Sequence, residues 1–354
     1  MRVQIVDPSA FTPPYDRSLA AALARAGADV ELVTSRFVYG PVPPADGYAV
    51  NELFYRRSAR LRGRARFAVK LAEHVPDMLR LRRERADVVH FQWLTVQPVD
   101  LALLPRRPRV LTAHDVIPRE PRLGQVAATR RLVRRMDAVI AHSRHGAARL
   151  RSELGVDPGR IHVIPHPAFD YLTKLPHEEP LPAELDATEG PVVLFFGLLR
   201  PYKGIDVLLD ADIDASVWIV GHPRMPLPRT GPRVHVVPRF VTDAELPAYF
   251  RRADVVVLPY REIDQSGVLA TALAFGKPVV ASAIGGFQEL ADDYGAIRTV
   301  RPGDPAALRA AVTELLTDRR ERERLAAAAA RAAAGPLSWD EAARRTLAVY
   351  EGVL

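Results

Sequence analysis

Between residues 192 and 290 the chain twice runs an unbroken apolar, β-branched segment into a loop bearing glycine and charge, and then into an apolar helix. The two pieces read VVLFFGLLRPYKGIDVLLDA and RADVVVLPYREIDQSGVLATALAFGKPVVASAIGGFQEL. A strand without polar alternation has no solvent face. Residues 192–196 and 255–258 therefore read as strands buried on both sides, which a parallel sheet covered by helices provides. Ligands of such sheets bind just beyond the carboxyl ends of the strands. The first loop holds Arg200 and Lys203 there; the second holds Gln265, Ser266 and Gly267 at the start of a helix. Free N–H groups and the dipole at a helix start attract an anion, and a cation from the neighbouring loop would face it. This is the outline of a diphosphate site.

Two collinear motifs at this spacing carry a resemblance. FFGLLRPYKGIDVLLDA and residues 258–289, with GKPVVAS and IGGFQEL, resemble the nucleotide-sugar half of family 4 glycosyltransferases. The resemblance implies an α/β chain of GT-B architecture, with two Rossmann-like parallel-sheet domains facing across a cleft. Residues 1–170 would form the N-terminal, acceptor-side domain and 191–336 the nucleotide-sugar domain. Residues 171–190, rich in Pro, Glu and Thr, read as the linker, and 337–354 as a helix crossing back to the N-terminal domain.

The implied activity is retaining transfer of a sugar from a nucleoside-diphosphate sugar to a small-molecule, glycan or lipid-linked acceptor. No cofactor and no metal are expected. Lys203, Arg200 and His114 take catalytic roles by this resemblance, His114 because it ends the strand RVLTAH. Gly197, Arg239, Phe240, Asp264, Gln265, Ser266, Gly267, Val268 and Thr271 fall to the donor, and Tyr15 and Asp115 to the acceptor side. A GT-B-shaped epimerase or hydrolase, and a non-catalytic nucleotide-sugar-binding protein, stay open as alternatives.

The chain departs from the family at several of these places. Leu198 stands where an arginine usually follows the glycine, with Arg200 two residues on. The two glutamates common in the second loop map to Ile263 and Thr271, with Glu262 and Asp264 flanking the first. Pro13, Pro14 and Tyr15 occupy a loop in which a Gly-Gly pair is common, and His166 stands at a frequent asparagine. Lys277 is expected to cap the carboxyl end of the helix before it, and Gly285 and Gly286 to form a tight turn.

The length of 354 residues suits two domains, each with its own core. The absence of cysteine excludes disulfides and thiolate metal sites. Met1 leads straight into RVQIVD, and no apolar run is long enough to cross a bilayer. The expected location is cytoplasmic, with peripheral contact at the inner face of an anionic membrane as an open alternative. RVQIVD and the loop after it lack G-x-G-x-x-G, which excludes the usual dinucleotide fingerprint.

Net charge is +7, and only four of the 49 basic residues are lysines. Residues 56–85 are the most basic stretch. They read as an amphipathic helix pair interrupted near Pro76, its charge solvated or meeting an anionic lipid or acceptor. No nucleic-acid motif accompanies the charge, so nucleic acid is not an expected partner. His142 and His145 have no carboxylate neighbour in sequence and no H-E-x-x-H pattern, which argues against metal. The run Asp210–Asp214 resembles an Asp-x-Asp metal motif but falls on the connection remote from strand carboxyl ends, where a solvated turn is expected.

Overall fold

The structure, a computed structural model, describes residues 1–58, 61, 63–119, 121 and 123–354. Arg60 and Arg62 of the basic stretch lie outside the described residues. The chain divides into two compact units, one built from Met1–Pro165 with Trp339–Leu354, the other from His166–Ser338.

The first unit is a parallel sheet of β1 (Arg2–Asp7), β2 (Asp29–Ser35), β3 (Ala49–Phe54), β4 (Val88–Phe91), β5 (Arg109–Thr112), β6 (Ala138–Ala141) and β7 (Ile161–Val163), ordered β3-β2-β1-β4-β5-β6-β7. Val3, Ile5, Val88, Val89, Val110 and Val139 are fully buried, as strands covered on both faces require. The strand order reverses between β1 and β4, so their two loops diverge and leave the position where such sheets bind ligands.

Helices α1 (Pro13–Arg25), α2 (Gly63–Arg83), α3 (Gln97–Leu103), α4 (Gln125–Val133) and α5 (Arg144–Leu154) make the crossovers. Ser143 starts α5 as its cap, its Oγ accepting from the Gly146 amide at 2.9 Å.

The expected break at Pro76 is absent: α2 continues through it. Proline in a helix interior costs about 3 kcal/mol, and tertiary contacts on either side offset that. His74 Nε2 lies 2.6 Å from Asp100 Oδ1, Asp77 accepts the Tyr55 amide at 3.1 Å, and Met78 and Leu81 are fully buried.

The second unit repeats the plan. Its strands β8 (Val192–Phe196), β9 (Ser216–Val220), β10 (Val234–Val237), β11 (Val255–Leu258), β12 (Val279–Ser282) and β13 (Arg298–Val300) are parallel, in the order β10-β9-β8-β11-β12-β13. The reversal now falls between β8 and β11, the two strands singled out in the sequence. The helices are α6 (Ala183–Asp186), α7 (Ile205–Asp210), α8 (Leu246–Arg252), α9 (Gly267–Ala274), α10 (Gly285–Tyr294), α11 (Pro305–Thr317) and α12 (Arg319–Ala334).

Residues 171–190, expected as a linker, are held on this unit. Leu172 and Leu185 are buried, the Tyr171 hydroxyl donates to Asp243 at 2.7 Å, and the Glu179 amide donates to the Ala244 carbonyl. The last helix, α13 (Trp339–Val353), belongs to the first unit. There Arg25 pairs with Asp340 at 2.7 Å, and the Tyr350 hydroxyl meets His90 Nδ1 at 2.6 Å. Among the described residues no helix is long and apolar enough to cross a membrane.

Candidate functional site

In the second unit the loops after β8 and β11 are pressed together. Gly204 (φ +69°) closes the turn Pro201–Lys203, and a Cβ there would fall 2.0 Å from the Pro259 carbonyl oxygen, so only glycine allows the approach. The Arg261 amide donates to the Tyr202 carbonyl at 2.8 Å, and the Arg261 guanidinium pairs with Asp206. Lys203 is thereby carried inward. It is 7% exposed, with Nζ 5.0 Å from the centre of the Tyr260 ring.

Gly197 follows β8 at φ +106°, and the position a Cβ would take lies 3.0 Å from both Lys203 Nζ and Val268 Cγ2. Lysine, glycine and the first turn of α9 therefore meet at one point. Ser266 caps α9 by accepting from the Leu269 amide at 3.2 Å, which leaves Gly267 and Val268 as the helix's leading amides. These amides carry the positive end of the helix dipole.

Other expected donor residues divide. Arg200 is half-buried in the same loop as Lys203. Of the two acids flanking Ile263, Asp264 turns inward at 6% exposure and Glu262 stays exposed. Gln265 Oε1 is buried with no hydrogen-bond partner among the described residues. The Thr271 hydroxyl donates to the Gly267 carbonyl at 2.9 Å on a buried face of α9.

Arg239 and Phe240 follow β10, two strands from the β8–β11 junction. Arg239 is engaged there by Glu245 at 2.5 Å, and Phe240 is 39% exposed. Glu245 precedes α8, and Thr242 donates to its carboxylate.

Lys277 caps α8 rather than α9, donating to the Arg251 and Ala253 carbonyls at 2.8 and 2.9 Å. It is the sheet that brings those carbonyls beside it. Gly285 and Gly286 open α10 instead of making a separate turn. Asp212 and Asp214 are exposed and pair with Arg233 in the turn between α7 and β9, the end of the sheet away from Lys203.

In the first unit His114 follows β5 and is 1% exposed. Its Nε2 lies 2.9 Å from Gln92 Oε1. Trp93 stacks on the imidazole at 5.2 Å, Tyr15 meets it edge-on at 4.7 Å, and His142 stands at 5.3 Å. Burial raises the Tyr15 hydroxyl's pKa, so it stays protonated. Burial lowers His142 to about 4; its Nδ1 is 2.9 Å from the Ile164 carbonyl, while His145 is exposed on α5, so the two do not converge on a metal. Asp115 is half-buried and pairs with Arg119 at 3.1 Å.

The sequence reading missed the organiser of the β1–α1 loop. Asp7 accepts from the amides of Ser9, Phe11 and Thr12 at 3.1, 2.5 and 3.1 Å. Thr12 in turn donates to Asp16 at 3.2 Å and accepts from Trp93 Nε1 at 2.9 Å. Burial pushes both carboxyls upward; the charge of Asp7 raises Asp16 further, whereas the interaction with Asp16 and the loop amides oppose the rise at Asp7. The signal was present: an acid ends a buried strand and precedes a loop without glycine, so a side chain must satisfy the loop's amides.

The chain's similarities agree with this geometry. A model described as Glycosyltransferase Family 4 matches residues 16–168, and one described as Glycosyl transferases group 1 matches 190–318. The D-inositol 3-phosphate glycosyltransferase of Xylanimonas cellulosilytica is 31% identical over 95% of this chain and 90% of its own. The GDP-mannose:glycolipid 4-beta-D-mannosyltransferase of Xanthomonas campestris is 28% identical over 65% of this chain and 73% of its own.

Among solved structures, a sucrose-phosphate synthase from Thermosynechococcus elongatus superposes with a TM-score of 0.78 at 20% identity, covering 99% of this chain and 98% of the other. Anabaena HepE, in complex with UDP and glucose, gives 0.73 at 19% identity, covering 99% and 100%. The fold likeness identifies the GT-B class, and relatedness along nearly the whole length makes this chain a family 4 glycosyltransferase.

Proposed function

We infer that the enzyme moves a hexose-type sugar from a nucleoside-diphosphate sugar to an acceptor hydroxyl, with retention at the anomeric carbon and without a divalent ion. The observation that carries this reading is the meeting of Lys203 Nζ, Gly197 and Val268 at the leading turn of α9. In the transfer, the bond between the anomeric carbon and the diphosphate oxygen breaks, and its electron pair leaves with that oxygen. The acceptor oxygen bonds to the same face of the carbon, and its proton passes to the departing diphosphate. Charge on that diphosphate grows as the bond breaks, so a fixed ammonium and preorganised amides favour the transition state over the bound donor.

Support for a nucleotide donor comes from GDP-mannose in one relative's name and from UDP in the HepE complex. Inositol 3-phosphate and glycolipid, named for the relatives, keep soluble and lipid-linked acceptors both in view. His114 would serve near the reacting sugar, by the family resemblance and by its place at the end of β5.

A thermal-shift panel of UDP-, GDP- and dTDP-sugars tests the donor, since a ligand of the folded state raises its stability. Product analysis with the stabilising donor should yield a transferred sugar, undiminished in EDTA. Activity lost in EDTA and restored by magnesium or manganese would sink the metal-free part. A free, altered sugar would mean an epimerase or hydrolase, and donor binding without product a binding protein.

A further inference from the structure

Thr12 stands at the N-cap position of α1, where a threonine hydroxyl ordinarily accepts from an amide of the first turn. Here the hydroxyl does not cap the helix. Its Oγ1 accepts instead from Trp93 Nε1 at 2.9 Å. An indole nitrogen only donates, so the single hydroxyl proton is left for Asp16 Oδ1, at 3.2 Å. The indole held in this way lies within 14° of parallel to the His114 ring, their centres 5.2 Å apart. Tyr15, the residue before Asp16 on α1, meets the same imidazole edge-on at 4.7 Å. A helix cap is thus given up for a chain of contacts that ends on the face of His114.

The chain begins at a pair of acids. Asp7 is fully buried and Asp16 is 1% exposed, and among the described residues neither has an ion pair. Arg17 on α1 donates to the Pro43 carbonyl at 2.8 Å. Lys70 on α2 donates to Ser9 Oγ at 2.9 Å, with its Nζ 4.4 Å from the centre of the Tyr55 ring. The charges of these two cations reach the pair only from a distance. Two carboxylates in contact away from water cannot both stay ionised. Asp7 takes the charge, because it accepts the amides of Ser9, Phe11 and Thr12. Asp16 keeps the proton, through burial and then the charge of Asp7, and donates it to Asp7. That leaves its Oδ1 as a bare acceptor for Thr12.

We propose that Asp16 is a positioning residue for the transfer, a neutral acid that holds Thr12 on the Trp93 indole and so fixes the surface against which His114 rests. This rests on the transferase reading above, which puts His114 near the reacting sugar. The place between Asp7 and Thr12 calls for one donor and one acceptor on a neutral group. Asparagine offers the same pattern, an amide N–H toward Asp7 and a carbonyl oxygen toward Thr12, and alanine offers neither.

The test compares Asp16→Asn, Asp16→Ala, Thr12→Val and Thr12→Ser with the parent chain. It reads turnover of the stabilising sugar donor, affinity for UDP, and the indole N–H resonance of Trp93, assigned with Trp93→Phe. Asp16→Ala and Thr12→Val should each lower kcat about tenfold or more, as small misplacements of reacting groups do, with UDP affinity unchanged. Their Trp93 resonance should move toward that of a solvated indole and exchange faster with water. Asp16→Asn and Thr12→Ser should rescue both readouts, to within about twofold of the parent in kcat.

Thr12→Val decides the matter if Asp16→Ala does not fold. A parent chain that transfers no sugar would fell the transferase reading, and the indole resonance alone then decides whether Asp16 sets the geometry at His114. Three results overturn the proposal: Asp16→Asn as impaired as Asp16→Ala, a Trp93 resonance unmoved in Thr12→Val, or kcat unchanged in both Asp16→Ala and Thr12→Val.

Discussion

Replacing Lys203 by methionine keeps most of the side-chain volume and removes the ammonium. At 7% exposure, with Nζ near Gly197 and Val268, that ammonium stands where little water screens it. The loss of one charge-assisted hydrogen bond to a diphosphate is worth about 1.5–3 kcal/mol, which is roughly a 10- to 150-fold rise in the Kd for UDP. Stability should respond differently. The variant forfeits a contact with the Tyr260 ring worth about 0.5–2 kcal/mol, and it is relieved of the cost of burying a charge. These oppose one another, so the net change should stay within about 1 kcal/mol, a Tm shift of about 2–4 °C for a unit of this size. Calorimetric titration with UDP, and thermal unfolding of the same preparation, measure the two quantities. A UDP affinity within about twofold of the parent, with the fold intact, would refute the placement of the diphosphate beside Lys203.

Further expectations follow from the same geometry. Gly267→Val should impair UDP binding far more than Thr271→Val: a Cβ at 267 meets Phe169 only at an ordinary 3.4 Å, whereas its branches crowd the leading amides of α9. Thr271→Val loses a hydroxyl already spent on the Gly267 carbonyl, costing about 1 kcal/mol of stability, and the reverse ranking would move the phosphate cradle elsewhere. His114→Asn should lower turnover about 100-fold at unchanged UDP affinity; a drop in melting temperature with no kinetic effect would return this histidine to a packing role. Burial holds His90 at about 3 and His142 at about 4, below the ordinary 6.5, so between these values the unfolded chain binds more protons and stability falls as pH drops below about 6.5. Asp7 and Asp16, raised by burial, work in the opposite direction, so the test is a difference: His142→Gln should flatten the acid limb by up to about 1.4 kcal/mol per pH unit, and an unchanged slope would refute it.

What the sequence determined by itself is local or periodic. The runs 192–196 and 255–258 declare themselves because a strand buried on both faces cannot alternate, and the structure has strands over those same residues. Ser143 is legible as a cap because its partner amide lies three residues on. Lys203, a rare lysine in an arginine-rich chain between strand and helix, stood out in the same way.

Only the tertiary structure decided which distant residues meet. Which of Glu262 and Asp264 turns inward depends on how the loop after β11 closes on Pro201–Lys203, and adjacent positions in a loop have no period to read. Lys277 caps α8 because the sheet brings that helix's end beside it. Pro76 stays inside α2 because hydrogen bonds and packing formed across the first unit outweigh a local preference for ending the helix. Lys70 is the clearest case. In sequence it is one cation among many on an amphipathic pattern. It becomes distinct only when the parallel sheet places the loop after β1 and the ring of Tyr55 against that one face of α2, because side chains far apart in the chain acquire a shared environment through strand order and nothing nearer.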